Sequence, residues 1–246
     1  MSRRGLIVTL VVSGALVGFV VWLPARFFDP LLPPDLRCSE LGGSVWAGRC
    51  EGLSIRGSRS GTLHWQIERP LWQPLRANVG FVWTPRSSES DSMGAAGVRG
   101  ELRATLDGRV AVYLSSVQLP LQTLRDALPA DVTLGPIAAV AGRLESRGLL
   151  IELDGRSQLT ALRGTVSLRD TRLLRYDAAI GDFDAELSGV VGRIKDRGGP
   201  LKLAGEARLT EPGTYTATLR VIPRITGVLP ALPGGSPLEI SVDGRL

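Results

Sequence analysis

Thr62-Leu63-His64-Trp65-Gln66-Ile67-Glu68 sets Leu63, Trp65 and Ile67 on one side of an extended chain and Thr62, His64, Gln66 and Glu68 on the other. Successive side chains of a strand point to opposite faces, so this period of two predicts a β-strand with one dry and one wet face. The alternation returns from Gly108 to Leu114, where Val110, Val112 and Leu114 share a face, from Gly164 to Arg169, and from Thr214 to Val221. Turn signals separate the runs: Asp107-Gly108, Asp154-Gly155, Gly198-Gly199-Pro200, Pro212-Gly213 and Asp243-Gly244. Glycines that open strand-like runs recur at Gly142, Gly164, Gly189 and Gly205, which suggests an extended meander of hairpins without a strict repeat. The fold class is therefore mainly β, a mostly antiparallel curved or layered sheet. Its dry side has to be covered by the sheet's own curvature, by a second layer or by a partner.

Other elements are few. Leu119 to Pro129 fits one short packing helix, with Leu121, Leu124 and Leu128 on a common side and prolines at both ends. The small, polar stretch at about residues 86–97 has no period and reads as a mobile loop between two strands.

Ahead of the β region, Gly5 to Ala25 carries no charge and is mostly Leu, Val, Ile and Phe. Its length, about 31 Å as a helix, matches a hydrocarbon core, so residues 5–25 read as a transmembrane signal-anchor. A cleaved signal peptide would have a shorter apolar run ending in small residues, whereas this one ends Val20-Val21-Trp22-Leu23-Pro24. Arg3 and Arg4 lie in the tail, residues 1–4, and place it in the cytoplasm. Residues 26–246 then form an exported, periplasmic β domain. Trp22 and Arg26 suit the outer interface. Gly14 and Gly18 have the G-x-x-x-G spacing that lets two membrane helices approach closely and would allow a homo-oligomer; glycine is also simply frequent in such helices.

The formal charge is +5, but nearly all basic residues are Arg, scattered singly, and only 5% of residues are aromatic. No basic stripe with interleaved aromatics marks a nucleic-acid surface. Cys38 and Cys50 fall in the exported part, where an even pair at this distance reads as a disulfide. Closing a loop of about 13 residues adds roughly 3 kcal/mol. The pair has no His or further Cys beside it to make a zinc site.

Catalytic patterns are missing. His64 is the only histidine, lies on a wet strand face, and has no G-x-S-x-G elbow to serve. Asp182, Asp184 and Glu186 share a strand face opposite Phe183, Ala185 and Leu187, but lack the glycine and later bidentate Glu of a calcium loop. Neither Walker A nor a dinucleotide fingerprint occurs, so no cofactor, metal or catalytic residue is expected.

Gly43-Ser44-Val45-Trp46-Ala47-Gly48-Arg49, shortly after the apolar segment, is more specific. It resembles the G-[ST]-V-W-x-G stretch of the protein N family of the bacterial type II secretion system. Leu63-His64-Trp65 is similar to that family's next strand, and Leu119 to Leu124 with Leu128-Pro129 to its L-P-L-x-x-L segment. Gly135 to Glu152 resembles the G-x-L strand that follows, and Gly164 to Phe183, with Ile180-Gly181-Asp182-Phe183, its late glycine positions. Leu168 stands where many relatives carry Trp. The resemblance implies structural roles for Gly43, Trp46, Gly48, Trp65, Pro120, Gly164 and Gly181, Trp46 and Trp65 being read as inward-facing.

The resemblance further implies an inner-membrane accessory subunit, not an enzyme, that connects the inner-membrane platform to the outer-membrane secretin for export of folded periplasmic proteins. The alternative is an AsmA-like periplasmic β-groove protein that handles lipids. A lipid groove needs a continuous apolar concave face, while a docking module exposes separated patches or open edge strands. The topology is testable directly: alkaline phosphatase fused after Leu246 should be active and the mature chain should keep Met1 or Ser2, while an N-terminus near Arg26 would refute the anchor.

Overall fold

The computed structural model describes residues 23–31, 35–55, 57–68, 77–86, 96–105, 107–127, 140–156, 158–174, 178–211, 214–224 and 237–245. The expected tail, most of the expected span with Gly14 and Gly18, and the core of the 86–97 loop lie outside them. Among the described residues no helix is long and apolar enough to cross a membrane.

The strands are β1 (Leu36–Arg37), β2 (Glu40–Gly43), β3 (Ala47–Ile55), β4 (Ser58–Glu68), β5 (Ala77–Pro85), β6 (Gly97–Ala104) and β7 (Val110–Pro120). After the helix α1 (Leu121–Ala127) come β8 (Val140–Leu153), β9 (Leu159–Leu173), β10 (Ala178–Gly189), β11 (Val191–Asp196), β12 (Leu201–Glu211), β13 (Thr214–Pro223) and β14 (Leu238–Arg245). They form one open 14-stranded sheet in chain order, every pair antiparallel, with β1 and β2 sharing the outer side of β3. The expected meander is thus a single uninterrupted ladder.

Register shows how the alternation adds up. One row of directly opposed residues runs across the sheet: Leu41, Cys50, Leu63, Trp83, Val98, Val117, Ser146, Val166, Ala185, Ile194, Gly205, Leu219 and Ile240. Of these only Ser146 is polar; it is buried and its hydroxyl donates to the Thr165 carbonyl at 2.7 Å. A neighbouring row on the other face reads Thr165, Glu186, Arg193, Glu206, Thr218 and Ser241. The sheet therefore has one apolar and one polar face along roughly 58 Å of ladder, at about 4.8 Å per strand.

Curvature covers part of the apolar face. α1 packs against β4 on one side and β8 on the other, so the sheet wraps round it. Pro120 ends β7, Leu121 turns inward at 5% exposure, and the Arg125 guanidinium donates to the Val140 carbonyl at 3.2 Å. Farther along, β12 comes back against β9 and β10, and Ile180, Phe183, Leu201 and Val221 form a core joined by Val140, Leu168, Leu173, Leu203 and Ile240. Most of these residues sit at one end of their strands, the end from which α1 leaves β7. Toward the opposite end the row Ile67, Val79, Leu102, Val112, Ile151 and Leu162 is only half-buried. Among the described residues, the apolar face is a trough packed at one end and open at the other.

Three details depart from the sequence reading. The helix starts at Leu121, because Leu119 and Pro120 complete β7, where Leu119 is 4% exposed. Asp243-Gly244 is not a turn: β13 extends the pairing through Tyr215↔Gly244. The recurring glycines do not open strands. Gly164 stands in mid-strand with φ +134°, and a Cβ there would meet the Gly148 carbonyl oxygen at 2.7 Å. Gly205 lies equally deep in β12, Gly142 is the third residue of β8, and Gly189 ends β10.

This division into faces predicts unequal costs for neighbouring substitutions. Phe183→Ala should lower unfolding free energy by about 3–5 kcal/mol, since the ring is 5% exposed in the core. Glu186→Ala, on the polar face of the same strand, should cost less than about 0.5 kcal/mol. Urea unfolding of both variants checks this; equal losses would contradict it.

Candidate docking surface

The sheet's first edge is built from the glycine- and tryptophan-containing stretch. Ala47 and Gly48 turn back on Gly43 and Ser44 to form the β2–β3 hairpin, closed by the Ser44 amide donating to the Ala47 carbonyl at 2.9 Å and the Ala47 amide donating to Ser44 Oγ at 3.2 Å. Gly43 has φ +86°, and a Cβ there would lie 2.6 Å from the Ala47 carbonyl oxygen. Trp65 packs on Gly48, where a Cβ would come within 2.3 Å of the indole, and its Nε1 donates to the Val45 carbonyl at 3.0 Å. Trp65 thus ties β4 to the hairpin turn and is half-buried. Trp46 lies in the turn itself, also half-buried, and its carbonyl accepts from the Ile67 amide at 2.6 Å. Neither indole reaches the fully inward position read from sequence, because this edge borders the open end of the trough.

The same hairpin receives the incoming chain. The Val45 amide donates to the Leu23 carbonyl at 3.0 Å, Pro24 bridges Ser44, and Ala25–Leu31 forms a 3-10 turn against β2. A disulfide joins Cys38, between β1 and β2, to Cys50 in β3, with Cα atoms 5.5 Å apart and Cys50 1% exposed. The first edge is therefore stapled, and its β2 part is met by the incoming chain. Phe27 stands 58% exposed beside it.

Gly181 (φ +114°) lies at a bulge in β10, where a Cβ would meet the Gly198 carbonyl oxygen at 2.6 Å, and Thr171 Oγ1 donates to its carbonyl. The β11–β12 turn can cross this close only over glycine. Arg224 fastens the turn, reaching Asp196 at 2.7 Å and the Gly199 carbonyl at 3.1 Å. Burial pushes the Asp196 carboxyl upward, but Arg224 and the Gly198 amide outweigh it and hold it below the usual carboxylate value. This corner lets β12 curl back onto β10.

On the polar face, a cleft of about 740 Å³ contains Arg49, His64, Gln66, Arg99, Glu101 and Ser115. His64 and Ser115 are far apart: the cross-strand row from His64 passes Val82 and Arg99 before it reaches Ser116 beside Ser115, about 14 Å across three strands. Ser115 donates instead to the Arg99 carbonyl at 3.2 Å. No nucleophile–base pair forms here. Two of the three acidic residues are already engaged. Asp184 accepts from Ser167 at 2.7 Å and Arg169 at 3.0 Å and pairs with Arg197 at 3.3 Å, while Asp182 accepts the Asp170 amide at 3.0 Å. Glu186 lies apart and exposed. Among the described residues no cluster of His, Cys, Asp and Glu is arranged to hold a metal ion.

Among the described residues, what the geometry offers is surface: an apolar trough with one less-covered end, a stapled first edge and a last edge at β14 with whose outer side nothing pairs. The trough was the feature hardest to see from sequence, since it depends on register across all the strands. Among curated proteins and among solved structures nothing matches the chain. The family model for type II secretion system (T2SS), protein N, matches residues 34–227, which takes in every strand from β1 to β13 and α1. The chain belongs to the type II secretion system protein N family.

Proposed function

We propose that the chain is a non-enzymatic accessory subunit anchored in the bacterial inner membrane by residues 5–25, its periplasmic sheet linking the inner-membrane platform to the outer-membrane secretin. The observation that carries this is the family match over residues 34–227, which supports involvement in the type II secretion system. The fold supports a role by contact. Among the described residues the cleft at His64 holds no nucleophile–base pair, while the apolar trough and the outer side of β14 are surfaces that a partner can cover. The stapled first edge lies where the incoming chain joins at Leu23, so the ladder leads away from the anchor.

One observation favours the second reading, a lipid-handling groove. The apolar row from Leu41 to Ile240 is continuous rather than patchy, and the open end of the trough is the end at which the chain enters beside Ser44 and Val45. Apart from the register shifts, the backbone behind that face is engaged in the ladder, so it suits an alkyl chain, which needs no hydrogen bonds, better than an extended peptide.

Purification from membranes through a tag after Leu246 separates the readings. Recovery of secretin or platform subunits, with loss of type II export in a deletion strain, supports the first reading. Stoichiometric phospholipid without those subunits supports the second and overturns the first.

A further inference from the structure

We propose that the outer edge of β14 is a self-association surface, on which β14 of a second copy pairs antiparallel about a twofold axis and continues the sheet. The two edges of the ladder are treated differently. At the first, β1 and β2 are short, separated at Cys38-Ser39, stapled by the disulfide and, at β2, met by Leu23–Leu31. At the last, β14 pairs with β13 from Thr214↔Arg245 to Val221↔Leu238 with no register shift, and among the described residues nothing pairs with its outer side. A regular, uncovered strand without internal Pro, Lys or bulge is a template for another strand.

Charge indicates which strand. A twofold axis through Ser241 would set Glu239 against Asp243 of the second copy, twice, which like charges disfavour. An axis through Val242 places the acidic position Glu239 across from the basic position Arg245 at both ends, with Ser241 across from Asp243 and Val242 across from Val242. This register keeps Ile240 and Val242 on the apolar side, so the dimer carries one continuous apolar face. The inference rests on the edge geometry and not on the secretion reading; the family match ends at residue 227, before β14 begins.

Cross-linking of the full-length chain in native membranes tests it. Cys38 and Cys50 are joined, so one introduced cysteine is the only free thiol. Paired positions in antiparallel strands have Cα separations of about 4.5–5.5 Å, within disulfide reach. Oxidation should give several-fold more covalent dimer for Val242→Cys than for Ile240→Cys or for Val190→Cys, a position 48% exposed on a turn elsewhere. Adding Glu239→Arg should lower the Val242→Cys dimer several-fold, and adding Arg245→Glu to that variant should restore it. A Val242→Cys yield no higher than that of Val190→Cys overturns the proposal. So does a stronger Ile240→Cys band, an adduct whose mass shows a different protein, or a failure of the charge exchange to restore the dimer in a variant of normal abundance.

Discussion

Every other feature of this structure depends on parity, the requirement that each strand put its apolar residues on the same side of the ladder as its neighbour does. A strand has a period of two, so a slip of one residue would move an entire apolar set to the wet face. The row from Leu41 to Ile240 shows that the requirement is met across the sheet. It is met even where the sequence breaks its own alternation. In β7 the apolar positions are Val110, Val112 and Leu114 but then Val117 and Leu119, a change of parity. Ser115 is the extra residue: Gly100 pairs with Leu114 and Arg99 with Ser116, and this bulge returns Val117 and Leu119 to the apolar side. In β9 a register shift between Leu159 and Ala161 does the same for Leu159 and Leu162.

One apolar face on a single sheet then has to be managed. The ladder does this by curling, with α1 inside the curve and the β11–β12 turn crossing Gly181, so that one end of the trough is dry and packed. The other end stays half-buried. A two-layer sandwich would have sealed both ends. Among the described residues, the half-buried end of the trough lies beside the point where the chain joins the sheet, and nothing pairs with the outer side of β14.

The strand content, the antiparallel hairpins and the disulfide were legible in the sequence because each depends on local pattern: Leu63, Trp65 and Ile67, the Asp-Gly turns, and two cysteines close in the chain. What was not legible depends on register. Leu119 and Pro120 looked helical because the bulge at Ser115 hides the continuation of β7, and Asp243-Gly244 looked like a turn although β13 pairs straight through it. Of the glycines that seemed to open strands, Gly142, Gly164 and Gly205 are places where another backbone passes close. For the site, Gly43 and Gly48 were marked by resemblance alone and Trp65 also by its place in the alternation, and the structure supplies their reason in a hairpin that only a glycine beneath an indole can close. The continuity of the trough could not have been read from any one strand.

The central claim is that the apolar face, not the polar one, is the working surface. Leu162 and Arg163 are neighbours in β9 on opposite faces, the first half-buried in the open part of the trough and the second exposed. The most direct test is export of a type II substrate by strains carrying Leu162→Ser or Arg163→Ser at equal protein abundance. The account predicts that the Leu162 variant loses export and the Arg163 variant keeps it; the opposite result would contradict it.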